Sequence, residues 1–169
     1  MERKDLIMRK AVFEEWEAMY RNVWSRKEAA RHMLWRLSDN EEDARERMVR
    51  TIGFQKEHDI YTVCEKKSGQ AIGYIGWEEV APQVFQEQGI VLGPEYVGKG
   101  YGKQLLSFLT AYCRDVLGGK ELRYSTRAKN EASVALALSC GFSYVRSELR
   151  TDPRSGEEYE LRFYKKEWF

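Results

Sequence analysis

Cysteine, histidine and net charge are all scarce in this 169-residue chain, and each scarcity removes a class of function. Cys64, Cys113 and Cys140 are odd in number, far apart and free of any CxxC pair. They exclude a disulfide framework and a thiolate zinc site, and they fit a reducing cytosol. The two histidines, His32 and His58, lie in unrelated segments with no carboxylates at metal-ligand spacing, so both read as ordinary polar residues and no metal is expected. With 28 basic against 27 acidic side chains the formal charge is +1, which leaves no global field to attract nucleic acid or an anionic membrane. Any electropositive site must be local. No apolar run approaches the roughly 18 residues of a membrane span. The charged start Met1-Glu2-Arg3-Lys4-Asp5 lacks the apolar stretch of a signal peptide. The expectation is a cytoplasmic protein without a nucleic-acid or membrane partner.

What is present suits a folded enzyme-sized domain. Hydrophobic residues at 43% and aromatics at 13% are enough for a core, and 33% charged residues cover a solvated surface. The length predicts one domain over residues 1–169. A first strand is read at Leu6 to Arg9, followed by an amphipathic helix carrying Phe13, Trp16, Met19, Tyr20 and Val23 at helical spacing. Ser25 with Glu28, and Ser38 with Glu41, have capping-box spacing and predict two further helices, the second reaching about Gln55. From Ile60 the period becomes two. Strands are predicted at 61–64, 71–80 and 84–92, with Gly93-Pro94 as a stop.

A helix opens within residues 98–102, with Leu105, Leu109, Tyr112 and Val116 on its apolar face, and Gly118-Gly119 end it. A strand at 121–126, a helix at 130–140 and a hairpin at 142–150 and 157–165 complete the chain. This order predicts an α/β fold, a mixed and mostly antiparallel sheet of six to seven strands flanked by helices. Trp16, Trp24, Trp35 and Trp77 read as core residues.

Chemistry concentrates in Gly89-Ile90-Val91-Leu92-Gly93-Pro94-Glu95-Tyr96-Val97-Gly98-Lys99-Gly100-Tyr101-Gly102-Lys103. A strand, a proline-marked loop, glycines at alternate positions and then a helix offer backbone N–H groups at a positive helix end, where an anion is stabilised. Gly98, Gly100 and Gly102 let the backbone approach a pyrophosphate, and Lys99 and Lys103 add local charge. The segment lacks the GK[ST] ending of a Walker A loop and the GxGxxG turn of a dinucleotide fingerprint.

The stretch at 97–102 resembles motif A of the GNAT N-acetyltransferase superfamily, in which a loop reading R/Q-x-x-G-x-G/A follows the fourth strand. Val97 departs from that pattern. Asn130-Glu131-Ala132-Ser133, with Gly141-Phe142 following, is similar to the family's NxxS...GF segment. The resemblance covers about residues 71–150 as a cofactor-binding core, leaving a helical substrate-side region at about 11–57. It implies strands splayed at the cofactor site, with acetyl-CoA as cosubstrate. The loop residues Gly98, Lys99, Gly100, Tyr101, Gly102 and Lys103 would hold its pyrophosphate. Val91 and Leu92 would pair their backbone with the pantetheine arm, and Asn130 would bond it too, although Asn130 read by itself is also a good helix N-cap.

Amine attack on a thioester benefits from a base, since an alkyl amine is mostly ammonium at neutral pH. Glu87, in Glu87-Gln88-Gly89, resembles the family's E-x-G stretch and is the candidate, with Glu78 and Glu79 in reserve. Where members often place a tyrosine to protonate the leaving sulfur, this chain has Ala137, and Tyr144 or Ser133 are the substitutes to examine. The layout resembles the ribosomal-protein Nα-acetyltransferase branch. It implies acetyl transfer by direct attack in a ternary complex, to a protein N-terminus or to a small amine such as a polyamine or aminoglycoside. A non-catalytic coenzyme A-binding module is the alternative, and monomer and homodimer both stay open.

Overall fold

The computed structural model describes residues 1–168, which gather into two compact units. One comprises Met1–Trp77 and Gln88–Gln104; the other comprises Glu78–Glu87 and the residues from Leu105 onward. Seven strands form one sheet: β1 (Leu6–Arg9), β2 (Ile60–Glu65), β3 (Ala71–Ala81), β4 (Val84–Leu92), β5 (Glu121–Arg127), β6 (Ser143–Thr151) and β7 (Glu158–Glu167), in the order β1-β2-β3-β4-β5-β7-β6. The β4–β5 ladder is parallel and joins only Val84–Gln86 to Glu121–Arg123, whereas the β1–β2, β2–β3, β5–β7 and β6–β7 ladders are antiparallel. This is the open mixed sheet flanked by helices that the sequence predicts.

In the first unit a helical run passes from a 3-10 turn (Phe13–Glu15) through α1 (Trp16–Met19) into a π-helical segment (Tyr20–Trp24). α2 (Lys27–Ala30) is a single turn, and α3 (Glu41–Glu57) is the long helix. Ala44 and Met48 on α3 bury against Met19, Val23 and Trp24. Full burial of a side chain such as Met48 stabilises by about 1.5–3 kcal/mol. Neither predicted capping box forms. Ser25 instead donates its hydroxyl to the Tyr20 carbonyl at 2.7 Å, closing the π-helical segment, and α2 has Arg26 as an N-cap without a side-chain bond. Asn40 caps α3, its Oδ1 accepting from the Asp43 N–H at 2.9 Å, while Ser38 is buried and donates its N–H to the Trp24 carbonyl. An asparagine directly before the first helical turn satisfies one of its orphan donors, two residues further along than the Ser38–Glu41 box would have done.

In the second unit, α5 (Glu131–Ser139) lies along the chain between β5 and the β6–β7 hairpin. α4 (Tyr101–Asp115) begins in the first unit and continues into the second, where Leu105, Leu106, Phe108, Leu109 and Cys113 are buried. Val116 falls beyond its last turn and is 64% exposed, so the apolar face ends one turn earlier than the periodicity suggests. β5 buries alternate residues, Leu122, Tyr124 and Thr126, the period of a strand with one covered face. No helix among the described residues is long and apolar enough to cross a membrane.

Candidate functional site

The glycine loop follows a 3-10 turn (Pro94–Tyr96) and leads directly into α4. Gly98 and Gly100 have φ of 81° and 79°, left-handed conformations that disfavour any residue with a Cβ. A Cβ built on either would find no atom within 4 Å, so the space above the loop is open. Among the described residues, none of the six amides at 98–103 donates to a backbone carbonyl; the first bond of the helix is Gln104 N–H to the Gly100 carbonyl at 3.1 Å. Six donors therefore stand together at the positive end of a fifteen-residue helix. Lys99 and Lys103 are exposed beside them, Lys99 with its Nζ 4.8 Å from the Tyr96 ring centroid.

Tyr101 works differently from its neighbours. Its side chain points inward and donates to Glu65 Oε1 at 2.7 Å, which leaves only its backbone facing the loop. That bond is the main reason the phenol is pushed up to about 12, and the same bond, with one from Ser68, lowers the Glu65 carboxyl. Three residues on, Gln104 and Asp5 exchange two hydrogen bonds, at 2.7 and 3.3 Å. The first turn of α4 is thus tied to β2 by Tyr101 and to the approach to β1 by Gln104, which fixes the loop before any ligand arrives.

Val91 is buried and Leu92 half-buried at the end of β4. A Cβ on Gly73 would come within 2.0 Å of the Val91 carbonyl oxygen, so glycine is required for β3 to approach this point. Gly93 N–H donates to the Ile72 carbonyl at 2.8 Å.

The remaining candidates belong to the second unit. Glu87 directly follows the three-pair parallel ladder and is 9% exposed, on the same side as buried Phe85. Its negative charge is one cause, after burial, of the raised pKa of the Tyr124 phenol. Tyr124 escaped the sequence reading, although the two-residue period shared with Leu122 and Thr126 marks it as inward. Its hydroxyl lies 2.5 Å from Ser133 Oγ. Ser133 and Ala137 are one helical turn apart on α5, and Ala137 is 0% exposed. Asn130 Oδ1 accepts from the Ser133 N–H at 3.3 Å, so the N-cap reading of this residue is realised. Tyr144 is 54% exposed on β6 and bonds Ser147 Oγ at 2.8 Å. Glu78 and Glu79 are both exposed, and Glu79 accepts from the Gln83 N–H at 2.8 Å across the β3–β4 turn.

The first unit also holds a cavity of about 540 Å³, walled by Trp24, Trp35, Arg47, Phe54, Tyr74 and neighbouring side chains. Trp24 and Trp77 are buried as expected, and Trp24 also walls the cavity, whereas Trp35 is only partly buried against that core. The irregular segment between α2 and α3 delivers Trp35, whose Nε1 donates to the Tyr74 hydroxyl at 3.0 Å. A segment without a hydrophobic period gives no sequence signal for such a placement.

These features meet known proteins at the level of family and fold. The family described as "Acetyltransferase (GNAT) domain" matches residues 5–143. No curated protein matches the chain. Among solved structures, a GNAT-family acetyltransferase from Bacillus anthracis is 18% identical with a TM-score of 0.83, over 99% of this chain and 97% of that one. A candidate ribosomal-protein-serine acetyltransferase from Vibrio cholerae is 20% identical with a TM-score of 0.79, over 99% and 96%. The spermidine N-acetyltransferase of Vibrio cholerae, in complex with CoA and spermine, is 16% identical with a TM-score of 0.76, over 98% and 96%. With the greater part of its length matched to that family, the chain belongs to the GNAT acetyltransferases and is an acetyl-CoA-dependent acyltransferase.

Proposed function

We propose that the protein transfers an acetyl group to a primary amine by direct attack in a ternary complex, and that the loop at 98–103 holds the pyrophosphate of acetyl-CoA. The observation that carries this is the row of six loop amides without backbone acceptors at the start of α4. A diphosphate matches that row in charge and in number of acceptors, and Lys99 and Lys103 supply local positive charge in a protein that is otherwise nearly neutral. Val91 and Leu92 offer backbone groups for the pantetheine arm. Asn130 retains its Nδ2 donors for the same arm, because its cap bond uses only Oδ1.

When bound, acetyl-CoA supplies an activated acetyl carbonyl and a thiol leaving group. Glu87 takes a proton from the incoming ammonium, directly or through one water. Its position favours this role over that of a solvated strand carboxylate, since it is buried where β4 leaves its parallel ladder. Neither substitute acid fits well: Tyr144 is exposed, and Ser133 is engaged with Tyr124. A thiol with a pKa of about 8.5 departs without a dedicated acid. We read the chain as one functional domain spanning both compact units, since the family match at 5–143 runs through each of them.

Names among the structural neighbours include a spermidine acetyltransferase and a ribosomal-protein-serine acetyltransferase, so both a small amine and a protein are represented as acceptors. The missing tyrosine at Ala137 favours one second reading, a module that binds coenzyme A without turning it over. The test is release of free thiol from acetyl-CoA across a panel of amines and short peptides. Release that requires an amine supports acetyl transfer; binding of acetyl-CoA with no amine-dependent release supports the module.

A further inference from the structure

Arg47 is held in an unusual way for a surface-helix arginine. Its guanidinium carbon lies 4.9 Å from the Trp24 ring centroid and 4.6 Å from that of Trp35, so it packs over two indoles. It donates to the Arg36 carbonyl at 2.8 Å and reaches Ser38 Oγ at 3.5 Å. Among the described residues it makes no ion pair. The other cation on the cavity wall, Arg50, is shared with Glu46 at 3.6 Å and Asp43 at 4.0 Å. Asp43 itself is engaged by Arg36 at 2.9 Å. None of the side chains lining the 540 Å³ cavity is acidic, and Met19, Trp24, Trp35, Phe54, Ile60 and Tyr74 give it apolar walls. Burial pushes Arg47 down to about 10, still fully charged at neutral pH.

A guanidinium stacked on indoles keeps its N–H edge directed outward in the ring plane, the geometry that binds a carboxylate or phosphate through two parallel bonds. The apolar walls would cover a flat ring of benzene or nucleobase size. A polyamine would bring further positive charge to two arginines with no lining carboxylate to receive it. Gln88, on β4, is part of the same wall.

We infer that this cavity binds the non-reacting part of the amine acceptor, and that the acceptor is an aryl compound bearing an anionic carboxylate or phosphate that Arg47 receives. The inference rests on the acetyl-transfer reading for the word acceptor, but the binding site stands on the cavity and on Arg47.

Calorimetric titration without acetyl-CoA separates the two. The probes are 4-(aminomethyl)benzoate, 4-methylbenzylamine and spermidine, which differ in whether an aryl body and an anion accompany the amine. The wild type is expected to bind the benzoate about tenfold more tightly than 4-methylbenzylamine, with spermidine no better than the latter. Arg47→Met should erase that tenfold difference and Arg47→Lys should keep part of it, while Arg50→Met should preserve most of it. Should Arg47→Met melt, the wild-type Arg47 Nε–H resonance provides a second readout, expected to move with the benzoate and to stay still with spermidine. Equal binding of the two aryl amines, tightest binding of spermidine, or an unchanged preference in a folded Arg47→Met would overturn the inference and leave acetyl transfer intact. Failure of every amine to release thiol from acetyl-CoA would instead remove the acetyl-transfer reading and leave the binding result standing.

Discussion

Both compact units hold closed polar pairs, but they differ in what else they leave open. In the second unit polar groups satisfy one another: Arg127 pairs with Asp152 at 2.8 Å while stacking on Tyr159, Arg154 reaches the same carboxylate at 3.3 Å, and Tyr124 meets Ser133. In the first unit Arg47 stacks on two aromatic rings just as Arg127 stacks on one, yet among the described residues it pairs with no carboxylate and six loop amides have no backbone acceptor. Closed pairs of the first kind hold the hairpin and α5 in place. Groups left open, but fixed by Tyr101, Gln104 and the indoles, are where a ligand gains most, because their ordering is complete before binding.

Glu87 is the one second-unit group proposed to act in chemistry, and its loss should give the largest effect. Glu87→Gln is expected to lower thiol release with a good amine by about 10²–10⁴-fold, with acetyl-CoA affinity nearly unchanged. Unchanged turnover across pH would remove Glu87 as base and return attention to Glu78. Next in size is Gly100→Glu, which places a side chain and a negative charge above the open loop. Acetyl-CoA at a hundredfold excess over Kd should stabilise the wild type by about 2.7 kcal/mol and this variant not at all. The left-handed conformation at 100 should itself cost the variant about 1–2 kcal/mol, measurable in thermal melts without ligand. A folded variant with a full acetyl-CoA shift would place the pyrophosphate elsewhere.

Much of this fold was legible in the sequence because strands such as β1 and β5 keep a period of two, and because turn residues such as Gly, Pro and Asp mark the breaks between elements. β1 and β4 fall on their predicted residues, and the glycine loop falls on the start of α4 as read. The first-turn caps were misplaced because Ser25 and Ser38 make backbone bonds that compete with capping. Arg47, Trp24 and Trp35 could not be seen as a group, since their meeting depends on the aperiodic stretch after α2.

Smaller effects test the closure of the second unit. Ala137 has no exposed surface, so Ala137→Tyr should overpack α5 and destabilise by about 1–3 kcal/mol, with no tenfold gain in thiol release. A stable variant with faster release would show open space beside Ser133 and a leaving step that lacks an acid.

Smallest is a pH effect at the β6–β7 turn. Hydrogen bonds from Arg127 and then Arg154 hold the Asp152 carboxyl well below the usual range. A carboxyl with a folded pKa below its unfolded value of about 3.9 contributes fully above that value and loses its contribution as pH falls toward the folded one. Asp152→Asn should therefore flatten the acid side of the melting-temperature profile below about pH 4. An unchanged acid slope would mean that the pair is not held closed.

The contrast between open and closed polar groups is tested most directly by hydrogen–deuterium exchange of the loop amides with and without acetyl-CoA. Without ligand, residues 98–103 should exchange rapidly, as donors with no backbone acceptor do. Saturating acetyl-CoA should slow these six specifically. Saturable binding that leaves their exchange unchanged would contradict the assignment of the loop as the pyrophosphate site.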